Sequence, residues 1–145
     1  MKKILFYVLF FLAVITRVPA DMTSKYDDVS SPEHVMLSFE NAINTKDFQR
    51  AWNYWKLQPG PDFEKWKKGY SDTKHIDLYY KYKDSDAGAG NRWVTYNVKI
   101  FSEDTKGKKH LYEGYYTLHT SAPELYEEGK WPGWRIEKGE FKKIY

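Results

Sequence analysis

The chain has 145 residues, no cysteine, and 23 basic against 20 acidic residues. Without cysteine it has no disulfides, no thiolate metal ligands and no cysteine nucleophile. The basic excess lies in residues 1–20, which hold three basic residues and no acidic one. The remaining residues are formally neutral. They therefore lack the net positive charge on which nucleic-acid binding depends.

Residues 1–20 have the pattern of an export signal. Lys2 and Lys3 precede the apolar run "ILFYVLFFLAVI" (4–15), and "VPA" (18–20) supplies a small-residue cleavage site. The apolar run is shorter than the roughly 20 residues that span a bilayer, which favours a cleaved signal over an uncleaved N-terminal anchor. We therefore predict cleavage after Ala20, a periplasmic or secreted protein, and no stable membrane anchor in the mature chain.

Three helices are predicted after a polar leader, residues 21–30, which we expect to be flexible. Each helix starts at a residue whose side chain can accept a hydrogen bond from the first turn. The predicted helices run from Ser31 to about Asn44, from about Asp47 to Leu57, and over residues 62–70. Aromatic residues recur at helical spacing in the last two, so one side of each should face the core.

From residue 75 onward the apolar residues alternate with period two, which is typical of strands with one buried face. Four strands are predicted, over residues 75–83, 92–101, 110–120 and 133–145. Short turns join the strands, so neighbours should pair antiparallel, and Gly139 is a candidate bulge. The order of elements predicts an α+β fold in a single domain, residues 31–145, with three N-terminal helices packed on a sheet of about four strands.

Two segments carry a resemblance to a known family. The helix pair "PEHVMLSFENAINTKDFQRAWNYW" (32–55), with its "AIN-x-x-D-F" turn, and the tail "GWRIEKGEF" (133–141) resemble the nuclear transport factor 2-like (NTF2-like) superfamily. That superfamily includes SnoaL-like proteins, ketosteroid isomerases and exported bacterial proteins of unknown role. The resemblance implies a cone-shaped fold with a pocket between the helices and a curved antiparallel sheet, and often a dimer through the outer face of the sheet.

The resemblance does not extend to the isomerase chemistry. Ketosteroid isomerases carry an oxyanion-stabilising tyrosine where this chain has Phe39. No residue after the second helix matches their general base. The isomerase activity is therefore not carried over to this chain.

Aromatic residues on the predicted inward faces are candidates for a ligand pocket. Tyrosine hydroxyls and tryptophan N–H groups give an apolar pocket the few polar groups that orient a small molecule. The same residues could instead fill the core of a chain that has no disulfides. The candidate ligand-binding residues are Phe39, Trp52, Trp55, Tyr80, Tyr96, Tyr116 and Trp134.

Asp77 and His119 are the candidates for acid–base catalysis, since a histidine near a carboxylate can hold a proton near neutral pH. Both fall on the polar phase of their strands, where we expect surface residues. A change of register by one residue would turn them inward. No pair of histidines has metal-ligand spacing, so we expect no metal and no other cofactor.

Trp93, Leu111 and Tyr115 fall on the outward phase of the sheet, and exposed apolar residues there are typical of an interface. They predict a homodimer through the outer face. The first functional hypothesis is an exported, non-enzymatic protein that binds a small apolar or amphipathic ligand or an envelope partner. The alternatives are a SnoaL-like enzyme (an isomerase, hydratase or cyclase) and a ligand-free interaction module of an envelope complex.

Overall fold

The structure, a computed structural model, describes residues 24–145. The predicted signal and the cleavage site after Ala20 lie outside the described residues. The helices are α1 (Pro32–Asn44), α2 (Phe48–Asn53) and α3 (Phe63–Lys68), and the strands are β1 (Thr73–Gly88), β2 (Asn91–Asp104), β3 (Lys109–Ser121) and β4 (Arg135–Lys143). A short 3₁₀ turn, Pro123–Leu125, lies between β3 and β4.

Each helix begins at the capping residue that the sequence predicts. Ser31 Oγ accepts the N–H of His34 at 3.2 Å, and Asp62 Oδ1 accepts the N–H of Glu64 at 2.8 Å. Asp47 caps α2 in the same way. These bonds satisfy N–H groups that the first turn of a helix cannot pair internally, so the positions of the helix starts follow from the local sequence.

Helix α2 is shorter than predicted. It ends at Asn53 rather than at Leu57, because the next residues leave the helix to pair with the edge of β4. Ile136 donates its N–H to Tyr54 O at 2.8 Å, and Lys56 donates its N–H to Ile136 O at 2.7 Å. This parallel bridge joins the end of α2 directly to the sheet.

The four strands form an antiparallel sheet in the order β1-β2-β3-β4. Strands β1 and β2 are longer than predicted and meet at Ala89 and Gly90, whose φ angles are +50° and +77°, the left-handed conformation that tight hairpin turns favour. The sequence predicts a bulge at Gly139. In the structure the register between β3 and β4 shifts at Glu137, which lies between the paired residues Ile136 and Lys138.

Alternate residues of the strands lie on an inner face, which packs against the helices, and on an outer face. The inner face has the predicted phase: Leu78, Tyr96, Val98, Leu118 and Ile136 are all buried. Helix α1 contributes Val35, Phe39 and Ile43 to the same core. Burial of one face of each strand against the helices is the physical basis of the predicted α+β fold, which is confirmed.

Residues 24–30 are held against α1, whereas the sequence suggested a flexible leader. Asp28 donates its N–H to Ser38 Oγ at 2.8 Å, and Ser38 Oγ donates to Asp28 O at 3.0 Å. Asn41 Oδ1 accepts the N–H of Tyr26 at 2.9 Å. The polar side chains of α1 thus satisfy backbone groups of this segment that a free leader would leave to water.

Candidate functional site

A cavity of about 350 Å³ lies between the inner face of the sheet and the segment from Trp55 to Thr73. Its volume falls in the range of small-molecule sites. No aspartate, glutamate, lysine, arginine or histidine is among the described residues that line it. Its walls are mainly aromatic, formed by Phe39, Trp55, Trp66, Tyr70, Tyr112, Tyr116 and Phe141.

Tyr116 lies at the centre of the wall that the sheet provides. Its ring centroid is 6.2 Å from that of Phe39, 5.9 Å from Trp55 and 4.9 Å from Phe141, each pair edge to face, an arrangement that the ring quadrupoles favour. The ring passes over Gly139, where a Cβ atom would come within 2.7 Å of it. Gly139 therefore makes room for Tyr116.

Helix α3 and the turn after it form the opposite wall. The rings of Trp66 and Tyr70, about one helical turn apart, have centroids separated by 5.1 Å, and Tyr70 stacks on Phe48 of α2 at 5.9 Å. One wall of the cavity thus depends on aromatic packing between α2, α3 and the following turn.

The lining contains neutral polar groups, one of which has no partner in the described part of the chain. Trp55 Nε1 is buried and donates no hydrogen bond to a described residue. Burial raises the pKa of Tyr70 to about 12, and burial together with nearby Tyr70 raises the pKa of Tyr116 well above 10. Both phenols are therefore neutral near pH 7 and can donate or accept a hydrogen bond.

Three of the predicted ligand-binding residues, Phe39, Trp55 and Tyr116, line the cavity. Trp52 instead packs against Trp66 at 5.3 Å, outside the lining, and Trp134 packs partly buried against the core.

Tyr80 and Tyr96 lie further along the inner face and do not line the cavity. Their ring centroids are 5.6 Å apart, and Tyr96 OH donates a hydrogen bond to Glu33 Oε1. Burial, followed by this hydrogen bond, raises the pKa of Tyr96. The predicted set therefore divides between the cavity and contacts outside it.

Sequence reasoning missed four of the aromatic residues of the lining: Trp66, Tyr70, Tyr112 and Phe141. In the sequence, Trp66 stands at helical spacing from Phe63, and Tyr112 falls on the inward phase of its strand, so both carry a usable signal. Phe141 follows the register shift between β3 and β4, beyond which the alternation in the sequence no longer fixes the face.

Asp77 and His119 lie on the outer face, on the other side of the sheet from the cavity. Asp77 Oδ1 is 3.1 Å from His75 Nε2, and His119 Nε2 is 2.7 Å from Asn91 Oδ1. His119 is only 6% exposed, although a surface residue was expected, because the ring of Trp93 packs on it at 5.4 Å. The structure does not bring the two candidates together, since β2 separates their strands.

The residues predicted to form an outer-face interface differ in exposure. Leu111 is 9% exposed, so it is buried within the chain itself, whereas Tyr79 and Phe101 are 49% and 38% exposed. Trp93 and Tyr115 are partly buried, the former on His119 and the latter beside two lysine ammonium groups. The exposed apolar surface is therefore centred on residues that the sequence did not single out.

Across residues 24–145, no group of three or more histidine, aspartate or glutamate side chains is placed to hold a metal ion. None of the helices in this part of the chain is long and apolar enough to cross a bilayer.

Neither a protein-family model nor a curated protein matches the sequence. Among solved structures, the chain is similar to a proposed aromatic ring hydroxylase from Novosphingobium aromaticivorans, with a TM-score of 0.54 and 12% identity over 78% of this chain and 86% of that chain. An NTF2-like protein of unknown function from Cytophaga hutchinsonii matches with a TM-score of 0.36 and 14% identity, over 81% of this chain and 93% of that chain. The second score is too low to support an argument, and the first concerns the fold alone. The predicted architecture, helices packed on a four-stranded antiparallel sheet, is confirmed.

Proposed function

From the fold and the cavity within it, we propose that the protein is an exported, non-enzymatic binding protein of the NTF2-like superfamily. Its ligand is a small, neutral, ring-containing molecule that carries a hydrogen-bond-accepting oxygen. The observation that carries the proposal is an aromatic cavity without charged side chains, in which the buried N–H of Trp55 has no partner among the described residues.

The charge of the ligand follows from the donors in the lining. A buried N–H without a partner costs about 1–3 kcal/mol, and a ligand oxygen bonded to Trp55 would recover that cost. An anion would accept the same bond but would lose its hydration with no cation in the lining to compensate. A cation would be attracted to the faces of the aromatic rings, but it has no lone pair for the N–H of Trp55, which would stay unpaired. A neutral oxygen therefore fits the cavity best.

The size of the ligand follows from the volume. A cavity of roughly 150 Å³ lined by apolar side chains is enough to bind benzene. At about 350 Å³, this cavity has room for a molecule of about two rings. Edge-to-face contacts with Tyr116 and its neighbours would favour flat rings.

Catalysis is less well supported than binding. The cavity lining offers neutral hydroxyl and N–H groups, and the acid–base candidates Asp77 and His119 lie across the sheet from it. Export is supported by the charged, apolar and small-residue regions of residues 1–20. A binding protein in the periplasm or outside the cell accounts for both features.

The test is equilibrium binding of four naphthalenes of similar size to the mature protein by isothermal titration calorimetry. The probes are 2-acetylnaphthalene, 2-ethylnaphthalene, 2-naphthoate and (2-naphthylmethyl)trimethylammonium. We expect the neutral ketone to bind about tenfold more tightly than each of the others, because a hydrogen bond recovered in an apolar site is worth on the order of 1.4 kcal/mol. Equal affinities, or no binding by any probe, would contradict the proposal.

Two matched variants locate the binding. Trp55→Phe removes the N–H and keeps an aromatic ring, so it should abolish the preference for the ketone over the ethyl compound. Trp52→Phe, outside the lining, should leave that preference unchanged. A preference that survives Trp55→Phe would show that the ketone oxygen bonds a donor other than Trp55.

A second candidate function is protein interaction through the outer face, which includes a proposed homodimer. Tyr79 and Phe101 form an exposed pair with ring centroids 5.5 Å apart, and exposed aromatic residues favour interfaces. Tyr79→Ser with Phe101→Ser should abolish an association made through this face, measured by analytical ultracentrifugation. An unchanged association would exclude the outer face as the contact.

A further inference from the structure

Side chains of α1 hydrogen-bond the outer edge of β1 at Ile76 and Leu78. Asn44 of α1 bonds both the N–H and the carbonyl of Ile76, at 2.8 and 2.9 Å, and Glu40 Oε2 accepts the N–H of Leu78 at 3.1 Å. Beyond Leu78 no strand among the described residues pairs with this edge, because β1 is the first strand of the sheet. An uncovered strand edge is a template for pairing with another chain.

From Tyr80 onward, the edge of β1 that faces away from β2 presents backbone groups outward in a regular pattern. Since the N–H of Leu78 points away from β2, those of Tyr80 and Tyr82 do so as well. After a register shift between Tyr82 and Asp84, the N–H groups that point away from β2 are those of Ser85 and Ala87. The N–H of Ala87 is bonded to the side chain of Asp86 at 2.8 Å, which agrees with an outward direction; pairing with another strand replaces this local bond.

Four charged side chains follow this edge in a self-complementary order. Lys81 and Lys83 precede Asp84 and Asp86, all four are exposed, and none forms an ion pair with another described residue. In the single chain the ammonium group of Lys83 lies over the ring of Tyr115, 5.9 Å from its centroid, so it must turn toward the edge to meet a second copy. Charges on an edge usually prevent pairing with other strands. Against an antiparallel copy of the same strand, however, the two basic residues face the two acidic ones.

We propose that two copies of this chain associate through the outer edges of their β1 strands, antiparallel and centred between Lys83 and Asp84. Lys83 then lies opposite the second copy's Asp84, and Lys81 opposite its Asp86. Opposite charges across an antiparallel pair stabilise it. The contact is isologous, so each charge pair occurs twice.

The same register also matches the residues of the inner face. Tyr82 lies opposite the second copy's Ser85, and Tyr80 opposite its Ala87, so each exposed ring meets a small side chain. Tyr82 and Tyr80 are 57% and 39% exposed in the single chain, and pairing would cover part of both rings. The register shift in β1 is what keeps Tyr82 and Ser85 on one face, because without it residues three apart would point to opposite faces.

The first test is a charge exchange read by sedimentation velocity over a concentration series of the mature protein. The variant K81E/K83E and the variant D84K/D86K should each dimerise at least tenfold more weakly than the wild type, because like charges then face each other. An equimolar mixture of the two variants should recover dimers, since every facing pair is again opposite in sign. A wild type that stays monomeric, or a mixture that does not associate, would overturn the proposal.

Cross-linking tests the register, since the chain has no cysteine of its own. Residues 81 and 86 face each other across the proposed pair at about 4.5–5.5 Å between Cα atoms, a distance that a disulfide spans. Oxidation of mixed Lys81→Cys and Asp86→Cys chains should give a covalent dimer, while Lys81→Cys alone should not, because its two copies lie roughly 16 Å apart along the strands. Equal cross-linking of both samples would contradict this register.

Discussion

His119 is a polar side chain that the fold buries away from the cavity. Its ring packs on Trp93, and Nε2 is held by Asn91 Oδ1 at 2.7 Å. Burial lowers its pKa from the ordinary value of 6.5, and the nearby ammonium group of Lys56 lowers it further, while Glu137 acts in the opposite sense. The folded protein therefore favours the neutral imidazole.

This shift predicts a specific dependence of stability on pH. The folded state holds the proton of His119 less tightly than the unfolded state does. The contribution of neutral His119 to the free energy of unfolding is therefore fully present above pH 6.5 and is lost as the pH falls through the lowered pKa. His119→Gln should therefore lose less free energy of unfolding between pH 7.5 and pH 5 than the wild type, measured by urea denaturation.

The control for this prediction is His34→Gln. The His34 side chain is 43% exposed and lies 3.2 Å from Asp28, so it leaves the buried site intact. An equal loss of stability in His119→Gln and the wild type over the same pH range would show that His119 does not contribute to it.

At the scale of elements, the segment 24–30, α1 and α2 are joined by one side chain. The guanidinium of Arg50 donates to Tyr26 O at 2.6 Å, Asn41 Oδ1 at 2.8 Å, Tyr54 OH at 2.9 Å and Asp47 Oδ2 at 2.9 Å. The side chain is only 10% exposed, and its planar fork fits this arrangement in a way that an ammonium group cannot. Arg50 therefore ties three parts of the chain together.

Arg50→Lys should release the segment 24–30 and lower the free energy of unfolding by about 2–4 kcal/mol, because four hydrogen bonds, three of them part-buried, lose their planar donor. Hydrogen exchange of residues 24–30 and urea denaturation measure the two effects. Arg92→Lys is the matched control, since Arg92 is 49% exposed and its ion pair with Glu124 is 3.8 Å long. Unchanged protection of residues 24–30 in Arg50→Lys would show that α1 alone holds the segment.

At the scale of the whole molecule, export and ligand binding are tested together by native mass spectrometry of protein purified from the exported fraction. We expect a chain that begins at Asp21, because the small-residue site ends at Ala20, and additional mass from a retained neutral ligand. A chain that retains residues 1–20 would contradict cleavage. A ligand that carries charge would contradict the assignment made from the cavity lining.

The sequence alone determined the local features of this protein. The capping residues Ser31, Asp47 and Asp62 predicted the starts of all three helices, because a cap acts on the N–H groups of the very next turn. The period-two alternation predicted which residues of the strands face inward, because side chains of a strand alternate between its two faces. These signals and the short turns were enough for the α+β fold.

Only the tertiary structure decided the features that depend on distant residues. Helix α2 ends early because β4 offers it backbone partners, and His119 is buried because Trp93 of another strand covers it. The cavity combines α3, β3 and β4, so Trp66 and Phe141 join Tyr116 only when the chain is folded. Contacts between residues far apart in the chain leave no periodic trace in it, and for that reason the site was only partly predictable.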